Sequence, residues 1–232
     1  MLLLALDTSA AVGAALHDGS RVLAHRSAHD PRRHAELLAP FVVQVLADAD
    51  AAPGDVTAVA VGVGPGPFTG LRVGLVTAQT LGLALSVPVY GVCSLDALAA
   101  EAFEGAGQAA ELVAATDARR REVYWARYRR RGPGVVRVDG PHVGGAAGVP
   151  VGQASCVGRG ARIYPDALPG PDDGPLDPSA AWVASLAVAA LAAAPGAAAL
   201  ADGPGATLMP VEPLYLRRPD AQEPGARKRV LT

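Results

Sequence analysis

The chain has 232 residues, enough for one domain or two small lobes with a real core; half are hydrophobic, yet only 4% are aromatic. A formal net charge of -2 supplies no global basic field, which argues against strong unaided nucleic-acid binding; nearly all the positive charge is arginine, with Lys228 the only lysine. Cys93 and Cys156 are the only cysteines and neither belongs to a CxxC motif, a usage that suits a reducing cytosol rather than a disulfide framework.

The run Met1 to Leu6 is apolar but lacks a basic flank and ends at Asp7, so it reads as a buried strand over Leu2 to Leu6 and not as a signal peptide. Asp7-Thr8-Ser9 follows as a turn, Ala11 to His17 as a second strand, Asp18-Gly19 as a hairpin and Arg21 to Ser27 as a third strand. Asp30-Pro31 has the form of an N-cap and first helical position. Leu37, Leu38, Phe41, Val42, Val45 and Leu46 then recur at helical spacing, with a kink expected at Pro40. Val56 to Val63 is a buried strand, Leu71 to Leu85 a helix, Val87 to Cys93 a strand and Leu95 to Phe103 a helix. The order β-β-β-α-β-α-β-α makes a mixed sheet with its later strands parallel.

A boundary is expected at Gly105-Ala106-Gly107, giving an N-terminal lobe over 1–105, a smaller lobe over 106–218 and a mobile tail over 219–232. In the second lobe Leu112 to Thr116, Glu122 to Tyr128 and Val135 to Val138 read as strands, while 132–174, rich in glycine and proline, has no clear assignment. Asp177-Pro178 starts a helix running to Ala194. The uncharged stretch Ser179 to Ala201 approaches membrane-span length, but it is alanine-rich and broken by Pro195-Gly196, so it reads as a buried globular helix with no membrane partner.

Gly64 to Gly74 lies between a strand and a helix, where free amides make a natural anion site, yet it matches neither a Walker loop nor GxGxxG. Tight packing is the plainer reading. His25 and His29 form an HxxxH, but on extended chain they stand about 13 Å apart, too far for a shared metal. His34 could cap, pair or face a partner. Seven arginines between Arg119 and Arg131 are interleaved with Tyr124, Trp125 and Tyr128. That mixture suits either RNA contact, with Arg127, Arg129 and Arg131 as candidates, or the wet face of a hairpin. From Leu71 to Leu85 the only long polar side chains are Arg72 and Gln79, so this helix needs cover on more than one side. Gly70, Gly74, Ala78 and Gly82 form a ridge of small residues. With Leu71 and Leu75, and with Leu37, Leu38, Phe41, Val42 and Val45 of the preceding helix, they are the expected partner interface.

Leu4-Ala5-Leu6-Asp7-Thr8-Ser9, His34-Ala35-Glu36-Leu37-Leu38-Ala39-Pro40, Gly64-Pro65-Gly66-Pro67-Phe68-Thr69-Gly70-Leu71-Arg72-Val73-Gly74, Asp117-Ala118-Arg119, Glu122-Val123-Tyr124-Trp125-Ala126 and Pro213-Leu214-Tyr215-Leu216-Arg217 together resemble the TsaB family. The resemblance covers most of the chain and implies a two-lobed α/β fold with mixed sheets, actin-like and sugar-kinase-like, with the second lobe reduced. It also implies a non-catalytic, cytosolic role in threonylcarbamoyl transfer to tRNA, beside a catalytic paralogue, TsaD, and a small ATPase, TsaE. A homodimer is implied when the paralogue is absent. Asp7, Thr8 and Ser9 fall where actin-fold ATPases hold phosphate and metal, and read here as a vestigial phosphate loop with no tightly bound cofactor. TsaD-like proteins carry a metal-binding HxxxH in a segment like Gly91 to Leu98; here Ser94 and Leu98 stand in place of the histidines. The competing readings are a small sugar-kinase-superfamily phosphotransferase and a glycoprotease-like metallopeptidase.

Overall fold

Alternation along β1 (Leu3–Asp7) puts Leu4 and Leu6 on one side of a sheet and Leu3 and Ala5 on the other, and all four are buried. A strand apolar on both sides requires cover on both, and the fold follows from that requirement. The structure, a computed structural model, describes residues 1–30, 33–105, 109–132, 134–193 and 208–217.

The first part of the chain has the expected order: β1, β2 (Val12–His17), β3 (Val22–Ala28), α1 (His34–Asp48), β4 (Ala58–Gly64), α2 (Phe68–Leu85), β5 (Val89–Cys93) and α3 (Ser94–Gly105). The sheet runs β3-β2-β1-β4-β5, antiparallel through β3, β2 and β1, and parallel from β1 to β4 and from β4 to β5. Leu38, Val42 and Val45 of α1 and Leu71, Leu75 and Ala78 of α2 pack on the face that carries Leu4, Leu6, Val59 and Val61. The α1 start differs from expectation. The helix begins at His34, and the Asp30 carbonyl accepts the Arg33 N–H at 3.2 Å, closing a turn ahead of it; Pro31 lies outside the described residues. Pro40 sits inside α1, which continues to Asp48.

The second sheet, β8-β7-β6-β9, holds β6 (Glu111–Asp117), β7 (Glu122–Arg131), β8 (Gly134–Gly145) and β9 (Ser155–Val157). A short helix, α4 (Arg159–Ile163), follows β9. Helix α3 lies between the layers: Leu95, Leu98, Ala102 and Phe103 pack against Leu112, Ala114, Tyr128 and Val157. The region after 132 therefore supplies two strands of this sheet: β8, which extends the strand expected over Val135 to Val138, and β9, which had no assignment from sequence.

The chain then returns to the first sheet. Helix α5 (Ala180–Ala193) lays Val183, Ala184 and Ala187 on Leu3, Ala5, Ala58 and Ala60, and β10 (Leu208–Met209) pairs antiparallel with β5. The expected division at 106 does not follow this packing, because the first sheet's second apolar face and its β5 edge are completed by residues far beyond it. The expected tail, 219–232, and the remainder of the uncharged stretch, 194–201, lie outside the described residues.

Candidate functional site

Asp7 ends β1, and its carboxylate is buried. Oδ1 accepts the Ser9 N–H at 2.8 Å and the Ser9 hydroxyl at 2.7 Å, and Oδ2 accepts the Ser94 hydroxyl at 2.7 Å. Ser94 Oγ in turn accepts the Gly64 N–H at 3.2 Å. Thr8 is as fully engaged: its hydroxyl donates to the Gly70 carbonyl at 2.8 Å and accepts the Gly74 N–H at 3.1 Å. Asp7, Thr8, Ser9 and Ser94 are all buried. The side chains expected at a phosphate loop thus join β1, the start of α2 and the start of α3. Leu98, the other residue in a histidine's place, is fully buried core.

Burial pushes the Asp7 carboxyl above its usual range, while hydrogen bonds from Ser94 and Ser9 and the nearby His34 pull it back. A carboxyl raised in the folded state contributes stability fully present below its ordinary value of 3.8, and lost as pH rises through the raised value. Asp7→Asn keeps the shape and cannot ionise. Urea unfolding should therefore show the parent losing more stability than Asp7→Asn between acid and neutral pH; equal slopes would remove Asp7 from the pH dependence.

The glycines of the 64–74 segment serve this contact. Gly64 has φ +100°, and a Cβ at Gly74 would sit 2.5 Å from Thr8 Oγ1. This overturns the expected partner face. Gly70, Leu71, Gly74, Leu75, Ala78 and Gly82 are the buried side of α2, with a Cβ at Gly82 falling 2.2 Å from Val89 Cγ2. Leu38, Val42 and Val45 are likewise core, while Leu37 and Phe41 are partly buried against it. The small-residue ridge admits the protein's own sheet rather than a foreign helix. The apolar side chains left exposed lie on the opposite faces: Val76 at 59% and Leu83 at 84% on α2, and Val43 at 67% on α1.

The arginine strip is also rearranged. Glu111 on β6 holds Arg127 at 3.1 Å and Arg129 at 2.7 Å, so two of the three candidate RNA contacts are paired across the sheet; Arg131 is exposed at the far end of β7. His25 is exposed on β3, whereas His29 Nδ1 lies 3.1 Å from Asp177 Oδ2, which also takes the Arg159 guanidinium. The two histidines of the HxxxH have different surroundings. Among the described residues no group of three His, Cys, Asp or Glu side chains is placed to share a metal. His34 is buried, its Nε2 3.3 Å from the Ala10 carbonyl oxygen. A cleft of about 290 Å³ separates the layers here, lined by Ser9, His34, Thr69, Asp117, Arg119 and Arg159. Sequence reasoning missed that Asp177 joins His29 to Arg159 and that Ser94 closes on Asp7. An acid before a proline reads as a cap, and a Ser–Asp pair 87 residues apart has no local signal.

The family model described as TsaD, tRNA N6-adenosine threonylcarbamoyltransferase, matches residues 21–144. An uncharacterized Mycobacterium leprae protein is 41% identical over 95% of this chain, which spans 56% of that protein's length. The tRNA threonylcarbamoyladenosine biosynthesis protein TsaB of Escherichia coli is 40% identical over 58% of this chain and 58% of its own. Among solved structures, YeaZ from Pseudomonas aeruginosa superposes with a TM-score of 0.77 at 34% identity, over 93% of this chain and 99% of that one.

Proposed function

Since the chain belongs to the TsaB family, we propose that it is a tRNA threonylcarbamoyladenosine biosynthesis protein that does no chemistry itself and supports a TsaD-like catalytic paralogue in the cytosol. The observation that carries the non-catalytic part is the Asp7–Ser94 contact at 2.7 Å. Both oxygens of Asp7, the carboxylate that stands where actin-fold ATPases hold phosphate and metal, accept hydrogen bonds from the chain's own groups. Metal-assisted or phosphoryl chemistry needs an acidic ligand free to turn toward substrate, and here such a ligand is committed to holding helices α2 and α3. The same commitment supports a protein with no tightly held cofactor.

The partner reading rests on the solvent faces of α1 and α2. The matching TsaD family model spans the residues of both helices, which supports a like two-helix layer in a TsaD-like partner. Like surfaces pair across an approximate two-fold axis, which suits heterodimer formation with the paralogue and self-pairing without it. A TsaE-like ATPase and tRNA complete the proposed assembly. Reconstitution tests the role: threonylcarbamoyladenosine should form in tRNA with this chain, a TsaD-like protein and a TsaE-like ATPase together, and not with this chain alone. Robust modification, ATP hydrolysis or peptide cleavage by the isolated chain would defeat the non-catalytic reading.

A further inference from the structure

A second cavity, of about 180 Å³, opens at the cleft mouth between the amino end of α2, the β6–β7 hairpin and the segment carrying Tyr215 and Arg217. At about 30 Å³ per water it has room for roughly six waters, the scale of a single nucleobase. Its walls are aromatic and cationic: Phe68, Tyr124 and Tyr215 with Arg119, Arg120 and Arg217, and Asp117 between them.

Tyr215 is 37% exposed and yet fixed at two points. Its ring stacks on Phe68 with centroids 4.8 Å apart, and its hydroxyl accepts the Arg72 Nε–H at 3.3 Å. Arg72 lies over the Phe68 ring at 3.8 Å. An aromatic held still and left open loses little freedom when a planar ligand stacks on it.

The cations divide by engagement. Arg217 pairs with Glu122 and donates to the Ala118 carbonyl at 2.8 Å. Arg119 is exposed, its Nη1 3.3 Å from Asp117 Oδ2, an arrangement that an incoming anion can exchange. Arg119, Arg120 and Arg121 all have left-handed backbone, with φ of 64°, 52° and 63°. Successive non-glycine residues there store strain that glycine would relieve, so the arginines bring charge to a place where the local backbone favours another residue.

We propose that this notch binds a nucleotide, its base stacked on Tyr215 and its phosphate at Arg119 and Arg120. The Asp117 carboxylate, whose Oδ1 accepts the Arg119 N–H at 2.8 Å, stands on the same wall and confines the phosphate to the arginine side. The nucleotide is either an unpaired residue of RNA or a free nucleoside phosphate, and only the RNA source rests on the tRNA role proposed above. Fluorescence anisotropy with a labelled anticodon stem-loop RNA and with a fluorescent ATP analogue tests this on the parent, Tyr215→Leu and Arg120→Gly. Both variants should weaken binding of one probe about tenfold. Arg120→Gly should hold or raise the melting temperature, whereas a purely structural arginine would lower it on removal. Weakening confined to RNA assigns the notch to RNA, and weakening for ATP assigns it to free nucleotide. Unchanged binding in both variants, or no binding of either probe by the parent up to millimolar protein, overturns the notch. Full tRNA modification by assemblies carrying such unaffected variants would leave the proposed role intact while the notch falls.

Discussion

Val76→Glu combined with Leu83→Glu should abolish capture of a TsaD-like partner and self-association, while leaving the chain folded by circular dichroism. The two residues are seven apart on α2, hence on one face, and their side chains are 59% and 84% exposed. Neither touches the sheet, so replacing them should change stability by no more than about 0.5 kcal/mol, as at other surface positions. In an interface, two glutamates would place unpaired charge against an apolar surface, an arrangement that costs several kcal/mol and amounts to loss of binding by 100-fold or more. The internal control is Gly74→Val. That side chain has no room beside Thr8, so it should lower the melting temperature sharply and reduce partner capture only through misfolding. Sedimentation and pull-down of the folded glutamate variant decide the matter; parental association would put the interface on another face.

Asp96→Ala should cost about 3–5 kcal/mol of unfolding free energy. Asp96 lies in the first turn of α3, and its Oδ1 accepts the Tyr128 hydroxyl at 2.7 Å and faces Arg137 Nη1 at 3.2 Å. Burial pushes the Asp96 carboxyl up, and the Arg137 guanidinium and the Tyr128 hydroxyl pull it back. Arg137 is only 6% exposed, and its Nε lacks a hydrogen-bond acceptor among the described residues. The pair is therefore asymmetric. Without Arg137 the acid can take up a proton, but without Asp96 the guanidinium cannot discharge itself and is stranded in the layer between the sheets. Arg137→Met should consequently be milder than Asp96→Ala, and Asp96→Leu with Arg137→Met should recover most of the loss. Urea unfolding of the three variants tests the ordering; a double variant less stable than Asp96→Ala would refute the account.

Strands β1 and β4 were legible because each is a short continuous apolar run, and a strand buried on both sides has no other way to be written; the half-exposed β3 was legible from the Asp18-Gly19 hairpin ahead of it, and the two-residue β10 was not read at all. The partner helices were legible as elements but not as faces. A ridge of Gly70, Gly74, Ala78 and Gly82 has the same spacing whether it meets a foreign helix or the chain's own Thr8 and Val89, and only the three-dimensional contact distinguishes them. Ser94 could be seen as a missing metal ligand. Its actual bond to Asp7 joins residues with no local relation. Strand β8 was read only over Val135 to Val138 because its continuation contains Gly140-Pro141, is half-buried, and pairs with β7 through register shifts.

The late arrival of α5 and β10 sets a schedule for the chain as it leaves the ribosome. At about 5–20 residues per second, the face of Leu3, Ala5, Ala58 and Ala60 stays bare for some seconds after its strands have been made, until the residues of α5 emerge. The β5 edge waits longer still, for Leu208. During that interval the nascent first lobe presents an apolar face and an open strand edge together, the two features that recruit chaperones or neighbouring chains. A fragment stopped at residue 105 would keep them permanently, so the first lobe is closed only when the last strand is in place.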